Sequence, residues 1–240
     1  MLTRWQEPIF DRVAQSLPFI RSQPLSTFSL ACILGDAMYI FNGKVGSLFS
    51  LGLGAIHPGF ILTMGGVAAL IGHIFLLASA DQIDGEGQEH GWVNKTLGQC
   101  RQVARLLTLG WRPRQPFMLG FGCLTLNGLA LILDACWEML FFGANPAMIL
   151  QFVNGLVVTA GLGAAMLSRC MAEQAERDRL NAFAPKILAY GTFMTLLLGG
   201  LAVAPFLLLG GMLFVIGNSA QHHYALRLQK MERRQAEAAA

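Results

Sequence analysis

The amino-acid sequence predicts an all-α polytopic membrane protein: six transmembrane helices forming three hairpins, both termini cytoplasmic, preceded by an amphipathic helix. Three observations lead there. Of 240 residues, 54% are hydrophobic and only 13% charged, against about 25% charged in a soluble domain. Six apolar segments recur, at 25–42, 58–79, 117–135, 147–168, 187–204 and 206–222. Sixteen of the 17 Lys and Arg residues fall on one side of these segments, and Lys44 alone falls on the other. Cytoplasmic loops hold the excess of Lys and Arg. That assigns residues 1–23, the 80–115 loop, the connection after 168 and the 223–240 tail to the cytoplasm, and the chain to a cell inner membrane.

Residues 1–23 form a cytoplasmic amphipathic segment. Leu2, Trp5, Ile9, Val13 and Leu17 recur at helical spacing, with Arg4, Glu7, Asp11 and Arg12 elsewhere, which predicts a helix lying on the inner leaflet. No continuous apolar stretch marks a cleaved signal peptide, because Glu7, Asp11 and Arg12 interrupt it.

The transmembrane domain spans 24–222. Its three hairpins echo one another. The rising spans align Gly35-Asp36 with Asn127-Gly128 and Gly199-Gly200, and the descending spans align Gly65-Gly66, Asn154-Gly155 and Gly210-Gly211. Small residues let helices approach closely in lipid, so Gly35, Gly66, Gly128, Gly155, Gly200 and Gly211 are assigned to helix packing. A second reading makes this layer a constriction with exposed carbonyls. The 45–56 stretch, about 12 residues, is too short to cross ~30 Å of hydrocarbon. It reads as interfacial or re-entrant, with a seventh span as the alternative.

The long loop opens acidic, from Asp81 to Gly91. It continues basic from Leu97 to Trp111, with Val103, Leu106 and Leu107. This second part suits anionic lipid or a protein partner. Residues 173–179 and the 223–240 tail read as solvated charged helix.

Asp36 is the most pointed residue. A carboxyl about 12 residues into a span must be neutral, paired or facing water, at a cost of about 2.5–3.5 kcal/mol. His73 lies on the second span, with a depth estimated ~10 Å from Asp36 at ~1.5 Å per residue, which argues against direct pairing. With Asn127, Asn154 and Asn218 these residues are assigned to a substrate or ion pathway. Gln151, Thr63, Thr125 and Thr159 supply further polar groups. Asp134 and Glu138 read as outer interfacial acids. The five cysteines have no C-x-x-C or zinc spacing, and His222-His223 has no ligand companions. No metal, cofactor or nucleic-acid site is expected, and no nucleotide, metalloprotease or serine-hydrolase motif occurs. The partners expected are the bilayer, other membrane subunits or further copies. Two functions fit: a small transporter or channel-like permease with its polar pathway around Asp36, and a non-catalytic subunit or assembly factor of a larger membrane complex.

Overall fold

The computed structural model describes residues 6–41, 58–84, 91–110, 115–201 and 205–239. Among these, the chain is entirely helical: α1 (Gln6–Ser16), α2 (Phe19–Ser22), α3 (Pro24–Phe41), α4 (Pro58–Ala78), α5 (Asp81–Asp84), α6 (Trp92–Leu107), α7 (Pro116–Phe142), α8 (Pro146–Leu167), α9 (Gln174–Leu201) and α10 (Pro205–Ala239). Three helices are long and apolar enough to cross a membrane: α4 over Ile61–Ala78, α7 and α8. The 45–56 stretch, Leu2 and Trp5 lie outside the described residues.

Five of these helices begin at a proline. Its missing N–H costs nothing in a first turn, where that donor has no partner within the helix. Asn145 caps α8 by accepting from the Met148 N–H at 3.0 Å, and Gly143, with φ of 80°, lets the chain leave α7.

The six long helices pack in sequence order: α3 on α4, α4 on α7, α7 on α8, α8 on α9, α9 on α10, and α10 back on α3. The result is a closed ring. The seams rest on glycine. A Cβ on Gly128 would stand 2.7 Å from the Thr159 backbone nitrogen, and one on Gly155 would stand 2.9 Å from that of Ile132, so α7 and α8 cross with backbones nearly touching. The Phe214 ring covers Gly35, Leu196 packs against Gly211, and Ile40 packs against Gly66. Gly200 is helical, but its surroundings lie outside the described residues.

A polar clasp closes the ring at one end. The Asp84 carboxylate accepts from the Leu25 and Ser26 N–H groups at 2.9 Å and from Ser26 Oγ at 2.6 Å, filling donors that the first turn of α3 leaves unpaired. Arg227 of α10 donates to the carbonyls of Ser22, Arg21 and Asp84 at 3.0–3.1 Å. Burial pushes the Asp84 carboxyl above its ordinary range, against the opposing pull of these hydrogen bonds and of Arg227. The hydrophobic core includes Ile20, Leu25, Leu76, Phe121 and Tyr224.

Two expectations change here. First, α1 buries Gln6, Phe10 and Ala14; of the predicted stripe Val13 and Leu17 are half-buried against the core, and Ile9 is exposed. It runs beside α10: the Phe10 ring meets His222 with centroids 5.4 Å apart, and Asp11 Oδ1 stands 4.0 Å from His223. The helix is docked on the bundle. Second, Asp134 is fully buried rather than interfacial. Helix α7 continues to Phe142, beyond the predicted end of the segment, and Gln151 donates to Asp134 Oδ2 at 2.8 Å.

Candidate functional site

Inside the ring lies a cavity of about 110 Å³. Each of the six long helices contributes one face to it. On α3, Phe28, Cys32 and Asp36 succeed one another every four residues and so share a face. Gly66 and His73, seven apart on α4, do likewise. Opposite them stand Asn127 between Leu124 and Leu131 on α7, Asn154 on α8, Gly191, Thr192 and Thr195 on α9, and Asn218 beside Phe214 on α10. All five residues assigned from sequence to a pathway therefore line one space: Asp36, His73, Asn127, Asn154 and Asn218.

Asp36 Oδ2 and His73 Nδ1 stand 2.8 Å apart, with both side chains buried. Direct pairing is the opposite of the sequence expectation. The reason is register. The depth estimate took the inner ends of α3 and α4 as level, but the Asp84 clasp puts the start of α3 beside residue 84, beyond the end of α4 at Ala78. Asp36 lies eleven residues above Leu25, and His73 lies eleven before Asp84. The Phe28 ring meets the imidazole edge-on, with centroids 5.6 Å apart, and so limits its rotation.

Across the cavity the amides are held by hydroxyls. Asn154 Nδ2 donates to Thr195 Oγ1 at 3.4 Å, and Asn218 donates to Thr192 Oγ1 and to the Leu188 carbonyl. Asn154 Oδ1 is buried with no partner, leaving an acceptor unsatisfied at the cavity wall. Gly191 faces Asn154, and a Cβ there would stand 2.9 Å from that oxygen. Sequence reading missed Thr192, Thr195 and Cys32. Thr192 and Thr195 are three apart on one helix face, the only signal available. Two of the threonines it named do other work: Thr125 bonds its own helix at Phe121, and Thr159 packs under Gly128.

Chemically the site combines one carboxyl–imidazole pair, able to hold one proton or two, with amide and hydroxyl groups in an otherwise apolar chamber. Among the described residues no three His, Cys, Asp or Glu side chains converge to hold a metal ion. No protein-family model, curated protein or solved structure matches the chain.

Proposed function

We propose that this protein is a small integral-membrane transporter or permease, with six spans (α3, α4, α7, α8, α9 and α10), both termini cytoplasmic, and a central pathway around Asp36. The single observation that carries the reading is convergence: polar side chains from all of the ring's helices line one cavity around a buried, paired carboxyl. Intramembrane ionisable groups that face a cavity mark substrate and proton routes. The outward faces support the span count, since Leu133, Leu140, Phe142, Phe193 and Met212 are exposed on three of the six helices. The Lys and Arg distribution supports the orientation.

In this reading the Asp36–His73 pair is the coupling element. Protonation changes the charge of the pair by one, and the neighbouring amides then meet a solute with a different field. The test is reconstitution in liposomes loaded with a pH-sensitive dye, with an imposed potential and a panel of small polar and cationic solutes. Wild type is expected to move protons or charge with at least one solute. Asp36→Asn keeps a hydrogen-bonding group beside His73, and is expected to elute as a folded protein and to lose that flux. Equal flux in the two proteins removes Asp36 from the mechanism.

A second reading has its own observation. On α6, Leu97, Arg101 and Ala104 face the bundle, while Trp92, Val103, Leu106 and Leu107 are exposed. That apolar face suits a subunit that docks onto other membrane proteins. Affinity purification from native membranes in mild detergent separates the two: partners lost on Leu106→Ser and Val103→Ser favour the subunit, and a self-contained protein favours the transporter.

A further inference from the structure

A second cavity lies between α1, α9 and α10, and nothing in the pathway argument uses it. Its volume is about 160 Å³. Its walls are apolar, built from Ile9 and Phe10 of α1, Phe193 and Leu196 of α9, and Val215 of α10. One polar side chain of α1 enters it. Gln6 is 1% exposed, and neither its Nε2 nor its Oε1 has a partner. An amide buried without hydrogen bonds costs on the order of 1–3 kcal/mol, and such a group calls for an explanation.

The position of α1 is fixed independently. Glu7 Oε1 pairs with Lys186 Nζ at 3.0 Å, and Phe10 lies on His222. Gln6 and Asn218, one turn before His222, line the same pocket. Thr192 and Asn218 border both cavities, so their hydrogen bond forms part of the partition between this pocket and the central one.

We propose that this pocket is a lipid site that takes one acyl chain of a bilayer glycerolipid. The chain fills the apolar space between α9 and α10, and Gln6 Nε2 donates to the ester carbonyl where chain meets head group. An acyl chain supplies the apolar volume, and the ester supplies the acceptor that a pure hydrocarbon lacks. The site rests on α9 and α10 lying in the bilayer, but not on transport.

The test uses the full chain reconstituted in phosphatidylethanolamine and phosphatidylglycerol vesicles doped with a phospholipid bearing a diazirine on its acyl chain. After irradiation, adducts are mapped by mass spectrometry. Phe10 is 3% exposed, so bulk lipid does not touch it, whereas Leu126 and Leu133 face outward. Adducts are expected at Phe10 and Leu196 as well as at Leu126 and Leu133. Gln6→Leu and Ala189→Trp, which fills the pocket, are each expected to cut the Phe10 adducts several-fold and leave those at Leu126 unchanged. Labelling of Leu126 and Leu133 with none at Phe10, or Phe10 labelling indifferent to both substitutions, overturns the lipid site and leaves the membrane reading intact. Labelling nowhere on the bundle overturns both.

Discussion

The crossing of α7 and α8 at Gly128 permits a quantitative test. A Cβ on Gly128 would lie 2.7 Å from the Thr159 nitrogen and 3.0 Å from its Cα. Ordinary van der Waals contact begins at 3.4 Å, so Gly128→Ala drives the helices apart by about 0.7 Å. A gap of that size forfeits roughly a quarter to a half of the dispersion well for the atoms along the seam. Overpacking of this kind costs about 1–3 kcal/mol. At roughly 2–4 °C per kcal/mol for a chain of this size, the apparent melting temperature should fall by about 2–12 °C. The control is Gly163→Ala on α8, where nothing lies within 4 Å of the added carbon. There alanine is expected to stabilise by about 0.5–1 kcal/mol through helix propensity. Thermal unfolding in mild detergent, read by circular dichroism, measures both. Gly155→Ala opens the same seam, since its Cβ would lie 2.9 Å from the Ile132 nitrogen. The pair Gly128→Ala and Gly155→Ala should therefore be less than additive. Equal melting temperatures for the Gly128 and Gly163 variants would refute the close-crossing argument.

Two further outcomes are expected. Arg227→Ala removes a guanidinium that bridges α10 to the carbonyls of residues 21, 22 and 84. It should speed amide exchange in α5 and the start of α3, and Arg227→Lys should rescue little, because an ammonium has no planar fork to reach three carbonyls. Protection unchanged in Arg227→Ala would show that the clasp holds without it. The second outcome concerns pH. His223 is pushed below its ordinary pKa by burial first, then by His222 and Arg21, with Asp11 opposing. A group depressed in the folded state contributes stability that is full above its unfolded value of about 6.5 and is lost as pH falls toward the folded value. Apparent stability should therefore drop as pH falls from 7.5 through 6, and His223→Gln should flatten that dependence. A His223→Gln curve that keeps the wild-type slope would assign the loss to other groups.

What sequence could deliver here was face and composition. Their polarity inside apolar spans put Asp36, His73, Asn127, Asn154 and Asn218 among the pathway candidates, and all five line one cavity. What it could not deliver was register. The Asp36–His73 pairing depends on how far α4 slides past α3, which is fixed by Asp84 through contacts 58 and 59 residues apart in the chain. The face of α1 was legible only in part: Val13 and Leu17 of the apolar stripe pack on the core, while the His222 ring takes Phe10 and Ile9 is left exposed. Asp134 illustrates a third limit. Apolar runs underestimate a helix that continues through Trp137 and Glu138 to Phe142.

The closed ring has a consequence for how the chain is made. Helix α3 is completed at Phe41, but its partner α10 begins only at Pro205. At roughly 5–20 residues per second of synthesis, that seam waits on the order of ten to thirty seconds. During this interval the α10-facing side of α3 has no neighbour, and a lone carboxyl there would burden the nascent protein. His73 is made only 37 residues after Asp36 and belongs to the very next long helix. The carboxyl therefore finds its partner long before the ring can shut, and the first two long helices can be held as a polar-satisfied unit while the rest of the chain emerges.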